Sequence, residues 1–362
     1  MSIFISLTFA GCASNNIAKD ISEEYKALQL QNFENNYNEE KVNYYKHSEK
    51  IVIGLSMHSL NSERWQKDKD AFIKKAKKEG ASVRVKEANG DENAQISQVE
   101  ELIAEGVNVL VVVPVNGEVA SDIVAKAHEA DIKVISYDRL IKNSDLDYYI
   151  SFDNVKVGQL QAEAMLKVVS NGKIAYVGGS SKDNNALLYR EGAMKVLKEK
   201  IDSKSITLLM DKYSTNWSQE EAYKNVKEML LTHKDVVDGI ICANDSVASG
   251  ALLALKELGL DGKVPVTGQD ADLIAIQRIV EGKQLMTVYK PVEAIAERAV
   301  EIAIQVASSN TAETNSTIDN GYKKVPSYLL DPVEVNKDNV MDTVIKDGWY
   351  TYEEVYKNTP KE

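Results

Sequence analysis

From residue 50 onward the apolar and polar positions of the chain alternate between two periods. Short, nearly continuous apolar runs predict strands at 51–55, 83–86, 109–113 and 134–137. Between them the spacing switches to that of one helix face. Trp65, Phe72 and Ala76 predict a helix over 63–79 that stops at Gly80. Ile96, Val99 and Ile103 predict one over 94–105 that stops at Gly106, and a third follows over 119–130. The run at 109–113 has no polar alternation, as expected for a parallel strand covered by helices on both faces.

The second half repeats the layout. Strands are expected at 173–177, 207–210, 240–243, 264–267 and 284–289, and helices at 190–198, 247–258, 273–280 and 292–306. A further helix opens at Ser218 with Glu221 three residues later, a capping box. Pro291 suits the first position of the last long helix, and 325–335, with Pro326 and Pro332, reads as extended. Regular βαβα alternation in two tandem units predicts an α/β fold of two doubly wound parallel-sheet lobes with a cleft between them.

Several of these strands run directly into polar side chains: Ser136-Tyr137-Asp138-Arg139, Ala243-Asn244-Asp245 and Gly268-Gln269-Asp270. Ligands of open α/β sheets bind outside the carboxyl ends of the strands, so these groups are expected to share one crevice. Planar Asp, Asn and Arg groups suit vicinal hydroxyls, and Trp suits the C–H face of a sugar.

Composition narrows the partners. The 362 residues allow two domains, and a net charge of -12 opposes nucleic acid binding, which requires a basic face. Residues 13–48, rich in Asn, Glu, Lys and Tyr, read as a polar tether. Ahead of it, Leu7-Thr8-Phe9-Ala10-Gly11-Cys12 resembles the lipobox of bacterial lipoproteins, in which the cysteine is lipidated. Phe9 is unusual there, and no Lys or Arg precedes the apolar stretch. Cys242 lies in an apolar run and reads as a core residue.

Enzyme signatures are missing. The chain has no P-loop, no G-x-G-x-x-G after its first strand, no H-E-x-x-H and no G-x-S-x-G. Its four histidines show no metal-ligand spacing, and no cofactor is expected.

The polar and aromatic segments, in order, carry a resemblance. Glu63-Arg64-Trp65-Gln66-Lys67-Asp68, Tyr137-Asp138-Arg139, Tyr149-Ile150-Ser151-Phe152-Asp153-Asn154, Asp183-Asn184-Asn185-Ala186, Gly268-Gln269-Asp270-Ala271-Asp272 and Met286-Thr287-Val288-Tyr289-Lys290-Pro291 resemble the D-xylose-binding branch of the type I periplasmic binding protein family. These proteins serve bacterial ABC sugar importers. The likeness runs from about Lys50 to about Gly348.

The resemblance implies sugar contacts from Arg64, Trp65, Asp138 and Arg139 on the first lobe. Asp183, Asn185, Trp217, Asn244 and Asp270 would close from the second, with Trp65 and Trp217 sandwiching the ring and Lys290, at a hinge crossing, as the tenth sugar-binding residue. It divides the chain into a lobe of 49–153 plus 290–325 and a lobe of 154–289 plus 326–350, with 351–362 as a tail. Hinges are expected at 152–154, 287–290 and 325–326. Where family members carry an acidic pair after the first strand, this chain has His58-Ser59, so the resemblance carries no sugar contact over to this loop. Asn61 and Ser62 also depart, and are expected outside the pocket.

Taken singly, each residue has a plainer role. Trp65 could be core, Asp138–Arg139 a solvated pair, Asp270 a helix cap and Lys290 surface charge. The implied function is a monomeric, lipid-anchored extracytoplasmic binding protein that hands a monosaccharide, D-xylose foremost, to ABC permease subunits. Ribose, allose, galactose or arabinose in the same pocket, or presentation of the closed form to a membrane sensor, are the alternatives. A transcriptional regulator of this fold would need a basic helix-turn-helix before the first strand, and 13–48 is acidic.

Overall fold

A computed structural model describes residues 50–233 and 237–359. The expected anchor at Cys12 and the tether 13–48 lie outside the described residues.

The first sheet is built from β1 (Val52–Met57), β2 (Ser82–Glu87), β3 (Val109–Val112), β4 (Lys133–Tyr137) and β5 (Tyr148–Phe152), joined late in the chain by β11 (Ser316–Asp319) and β12 (Lys324–Leu330). Its order is β11-β12-β5-β4-β3-β1-β2, parallel except for β11, which pairs antiparallel with β12. Helices α1 (Glu63–Lys78) and α9 (Val292–Ala307) cover one face; Trp65, Phe72 and Ala76 of α1 pack with Ile295, Ala299 and Val300 of α9. Helices α2 (Glu92–Ala104) and α3 (Ser121–Glu129) cover the other with Val99, Leu102, Ile123 and Val124.

The second sheet is built from β6 (Gly172–Gly178), β7 (Ile206–Tyr213), β8 (Gly239–Cys242), β9 (Val266–Thr267), β10 (Met286–Tyr289) and β13 (Val333–Asn336). Its order is β13-β10-β9-β8-β6-β7, with β13 antiparallel to β10. Helices α6 (Gln219–Thr232) and α7 (Asp245–Glu257) pack together on one side, α4 (Asn154–Val168) and α5 (Asn184–Asp202) on the other. Helix α4 escaped the apolar periodicity because much of what it buries is small or polar: Asn154, Gly158, Gln161, Ala162 and Ala164. Its approach to α5 is set by backbone. A Cβ on Gly158 would lie 1.8 Å from the Tyr189 carbonyl oxygen, and one on Gly192 would lie 2.0 Å from that of Val155.

The chain passes between the sheets at Asp153, at Lys290–Pro291 and at Asp331–Pro332. The last differs from the expected 325–326, because β12 stays paired with β5 through Leu330. Pro326 lies opposite Thr317 of β11, one residue before β12 begins to pair with β5 at Ser327. The segment 351–362, expected as a tail, includes α10 (Tyr352–Val355), whose Val355 is buried with Ile276, Tyr289 and Trp349. At Ser218 the side chain caps α6 through the Glu221 N–H, but the Glu221 carboxylate reaches back to the Thr215 N–H (2.7 Å), so the box is displaced. No helix among the described residues is long and apolar enough to cross a membrane.

Candidate functional site

The carboxyl ends of both sets of strands face one cleft of about 390 Å³, within the range of small-molecule sites. Nine of the ten sequence-selected residues line it: Arg64, Trp65, Asp138 and Arg139 from the first lobe, and Asp183, Asn185, Trp217, Asn244 and Asp270 from the second. Lys290 does not. It is buried behind the wall, donating to Tyr189 Oη (3.1 Å) and lying 3.4 Å from Asp138 Oδ2.

Asp138 is the centre of the first-lobe wall. It follows β4 in a left-handed conformation (φ 60°), which turns its carboxylate out of the strand direction. Tyr149 and Ser151 donate to its carbonyl oxygen (2.9 and 2.8 Å), fixing the turn. Its Oδ2 pairs with the Arg64 guanidinium, and its Oδ1 accepts from Asn185 Nδ2 across the cleft (3.0 Å). Burial alone would raise this carboxyl, but Arg64 and Lys290 outweigh it and hold Asp138 well below the ordinary carboxylate range. Behind Arg64 sits Asp68, which accepts from Tyr137 Oη and lies 3.4 Å from Arg64 Nε. Burial raises its pKa to about 6 despite that cation.

Two further ion pairs bridge the lobes: Arg64 with Asp270 (3.2 Å) and Arg139 with Asp183 (3.1 Å). Asp270 is not the cap of the following helix α8 (Leu273–Val280); the residue at that position is Asp272, without a side-chain cap bond. Asp270 instead stands at φ 98° and takes Arg64 on one oxygen and Asn244 Nδ2 (3.3 Å) on the other. Asn244 uses its Oδ1 to cap α7 through the Val247 N–H (2.9 Å), which leaves the amide nitrogen for the cleft. Asp183 caps α5 in the same manner through the Asn185 N–H (3.0 Å).

The two indoles enter from opposite lobes. Trp65 is both core and wall: it is 8% exposed, packs in the first-lobe core, and lies under the Arg64 guanidinium at 4.4 Å. Trp217 follows Asn216, both in left-handed backbone (φ 59° and 52°). Its ring lies where any side chain at residue 179 would be; a Cβ on Gly179 would come within 2.2 Å of it. The Gly178-Gly179 turn therefore seats an aromatic wall.

The cleft also contains His58, Ser59, Asn61 and Ser62, contrary to the expectation for Asn61 and Ser62, together with Tyr189, Gln269 and Asp272. Tyr189 was legible as one helical turn beyond Asn185, on the same face. The β1-to-α1 loop was legible as a strand carboxyl end. Asp272 is raised to about 7 by burial, then by Asp270 and Glu63. Asp245, buried beneath it, is raised by burial and by Asp272, and accepts from Gln284 Nε2 (2.8 Å) and Thr287 Oγ1 (2.9 Å). No group of three His, Cys, Asp or Glu side chains among the described residues is arranged to hold a metal.

A site of this kind orients and encloses a polyhydroxylated ring: fixed donors and acceptors on both walls, an indole on each, and chain crossings that let the walls separate. The comparisons agree. Residues 53–311 match the family model described as periplasmic binding protein domain. The chain is 49% identical over 310 residues to the D-xylose-binding periplasmic protein of Haemophilus influenzae, covering 86% of this chain and 93% of that one. It is 47% identical over 309 residues to the protein of the same description from Escherichia coli, covering 85% and 94%. A carbohydrate transporter solute binding protein from Chloroflexus aurantiacus, solved in complex with D-glucose, superposes with a TM-score of 0.79 at 30% identity, covering 85% of this chain and 98% of that one. With a family model spanning most of both lobes and close relatives matched along nearly their whole length, the chain belongs to the periplasmic binding protein family.

Proposed function

We propose that this protein is an extracytoplasmic solute-binding protein that captures a monosaccharide, D-xylose foremost, and delivers it to an ABC importer. The observation that carries the reading is the convergence of Arg64, Asp138, Asn185, Asn244 and Asp270 with two indoles in one interlobe cleft. Near-half identity to two D-xylose-binding periplasmic proteins supports the choice of sugar.

Sugar would settle on one wall, the three crossings would rotate, and the other wall would supply the remaining hydrogen bonds. Closure is favoured because the closed form alone completes the contacts. Trp65 and Trp217 would stack on the ring; Arg64, Asp138, Arg139, Asp183, Asn185, Asn244 and Asp270 would bond its hydroxyls. Lys290 would act indirectly, by holding Asp138 and Tyr189 in place. Binding makes and breaks no covalent bond. Lipidation at Cys12 would keep the protein beside its permease.

Thermal melts of the full chain against D-xylose, D-ribose, D-allose, D-galactose, L-arabinose and D-glucose test this. A ligand bound only by the folded state adds about 2.7 kcal/mol at a hundredfold excess over Kd. The largest rise in Tm is expected with D-xylose, nearly lost in Trp217→Ala and Asp270→Ala. A flat response to every sugar discards the reading. Membrane fractionation of Cys12→Ala tests the anchor; unchanged membrane association counts against lipidation.

A further inference from the structure

His58 follows β1 at the carboxyl edge of the first sheet and is one of the residues lining the cleft. The imidazole stands edge-on to the Trp65 indole, with centroids 4.7 Å apart and planes at 84°. Its backbone carbonyl accepts from the Gly90 N–H (2.8 Å), so residue 58 is held through main chain and side chain alike. Yet Nε2 is buried and meets no hydrogen-bond partner among the described residues. Elsewhere in the wall Arg64, Asp138, Asn185, Asn244 and Asp270 form a linked network of pairs, while Arg64 Nε and Trp217 Nε1 share with His58 Nε2 the lack of such a partner.

Buried polar nitrogens are rarely left without a partner, and one that lines a binding cleft is placed to take it from the ligand. The charged groups that face the ring are Arg139, Arg64 and Asp138. Burial first, then Arg139, pushes the His58 pKa well below the ordinary imidazole range, and Arg64 adds to this against Asp138. The ring is therefore neutral at pH 7, with one nitrogen to accept and one to donate. Either suits a sugar hydroxyl, which does both.

We propose that His58 is a specificity-determining residue, whose imidazole hydrogen-bonds one hydroxyl of the bound monosaccharide while its edge holds the Trp65 indole in position. This deepens the sugar-binding reading and rests on it. The residue serves as a selective contact because a site built to bond one hydroxyl discriminates against the analogue that lacks it.

Calorimetric titration of the full chain with D-xylose and its monodeoxy analogues tests the assignment, comparing wild type, His58→Phe and His58→Gln. Phenylalanine keeps an aromatic edge against Trp65 without a nitrogen; glutamine restores a donor and an acceptor. His58→Phe is expected to lower D-xylose affinity about 3- to 10-fold, the range of one neutral hydrogen bond. One monodeoxy analogue, lacking the hydroxyl that His58 contacts, is expected to bind wild type and His58→Phe alike, and His58→Gln to recover part of the D-xylose affinity. Wild-type affinity in His58→Phe overturns the proposal. So does an equal loss on every analogue, which reports a displaced Trp65 instead of one missing bond. A wild-type chain that binds no sugar at all overturns the sugar-binding reading itself, a result distinct from either.

Discussion

The two walls of the cleft carry opposite charge. The first lobe brings the cations Arg64 and Arg139, with one carboxylate, Asp138, already committed to Arg64. The second brings Asp183, Asp270 and Asp272 with the amides of Asn185 and Asn244, and among the described residues no cation of this lobe lines the cleft. The contrast is sharpest between two acids. Asp138 is held ionised by Arg64 and Lys290 against the cost of its burial, whereas Asp272, near Asp270 and Glu63, is driven toward its protonated form. Charges withdrawn from water are tolerated when paired. Here the pairing crosses the gap, so bringing the walls together satisfies groups that neither lobe satisfies alone.

The largest effect is expected from removing the acid that the cations share. Asp138→Ala leaves Arg64 and Lys290 buried with less compensation and is expected to cost about 3–5 kcal/mol of stability, together with sugar binding. Denaturant unfolding measures it; a loss below 1 kcal/mol would mean that the wall does not depend on this pairing.

A smaller effect comes from the acid-rich wall. The unfolded chain loses its carboxyl protons near pH 4, while folded Asp272 keeps its proton to about 7 and Asp68 to about 6. Between these limits the two carboxyls bind more protons in the folded state, so their contribution to stability falls as pH rises, opposed in part by His58, which is protonated more readily in the unfolded chain. Without ligand, Tm is expected to be about 2 °C higher at pH 5.5 than at pH 7.5. Asp272→Asn should flatten that slope and raise Tm at pH 7.5. An unaltered slope in the variant would show that Asp272 is not its source.

The smallest effect probes the same partition outside the cleft. Lys67 of α1 lies 3.9 Å from the Trp349 ring and 4.2 Å from that of Tyr350, and donates to the Trp349 carbonyl (2.9 Å). Again a first-lobe cation meets a second-lobe acceptor. Lys67→Met is expected to weaken sugar affinity about 3-fold by removing a contact that links the lobes, roughly the worth of an exposed cation–π pair. Unchanged affinity by calorimetry would confine the coupling to the cleft.

Much of this was legible in the sequence, because the parallel strands are apolar runs that end in polar side chains. That signal located Asp138, Asn244 and Asp270. What it missed has identifiable causes. Helix α4 buries Gly158, Gln161 and Ala162 where a periodicity reading looks for Leu or Ile. Strand β11, Ser-Thr-Ile-Asp, is short, half-exposed and at an edge. The third crossing was misplaced because Pro326 looks like a break, yet it sits inside β12, opposite Thr317 of β11 and just ahead of the pairing with β5 that begins at Ser327. Lys290 was selected as a contact, but a linear pattern cannot tell a side chain in a wall from one directly behind it.

The glycine contact between α4 and α5 has a consequence for how such a protein can change. Asn185 and Tyr189 ride on α5, and the seat of α5 is set where main chain touches main chain at Gly158 and Gly192. Contact between main chains holds that jaw in place independently of which apolar side chains pack around it. A change of sugar preference would therefore be reached by exchanging the residues that face the ligand, with little to gain from reshuffling those behind them.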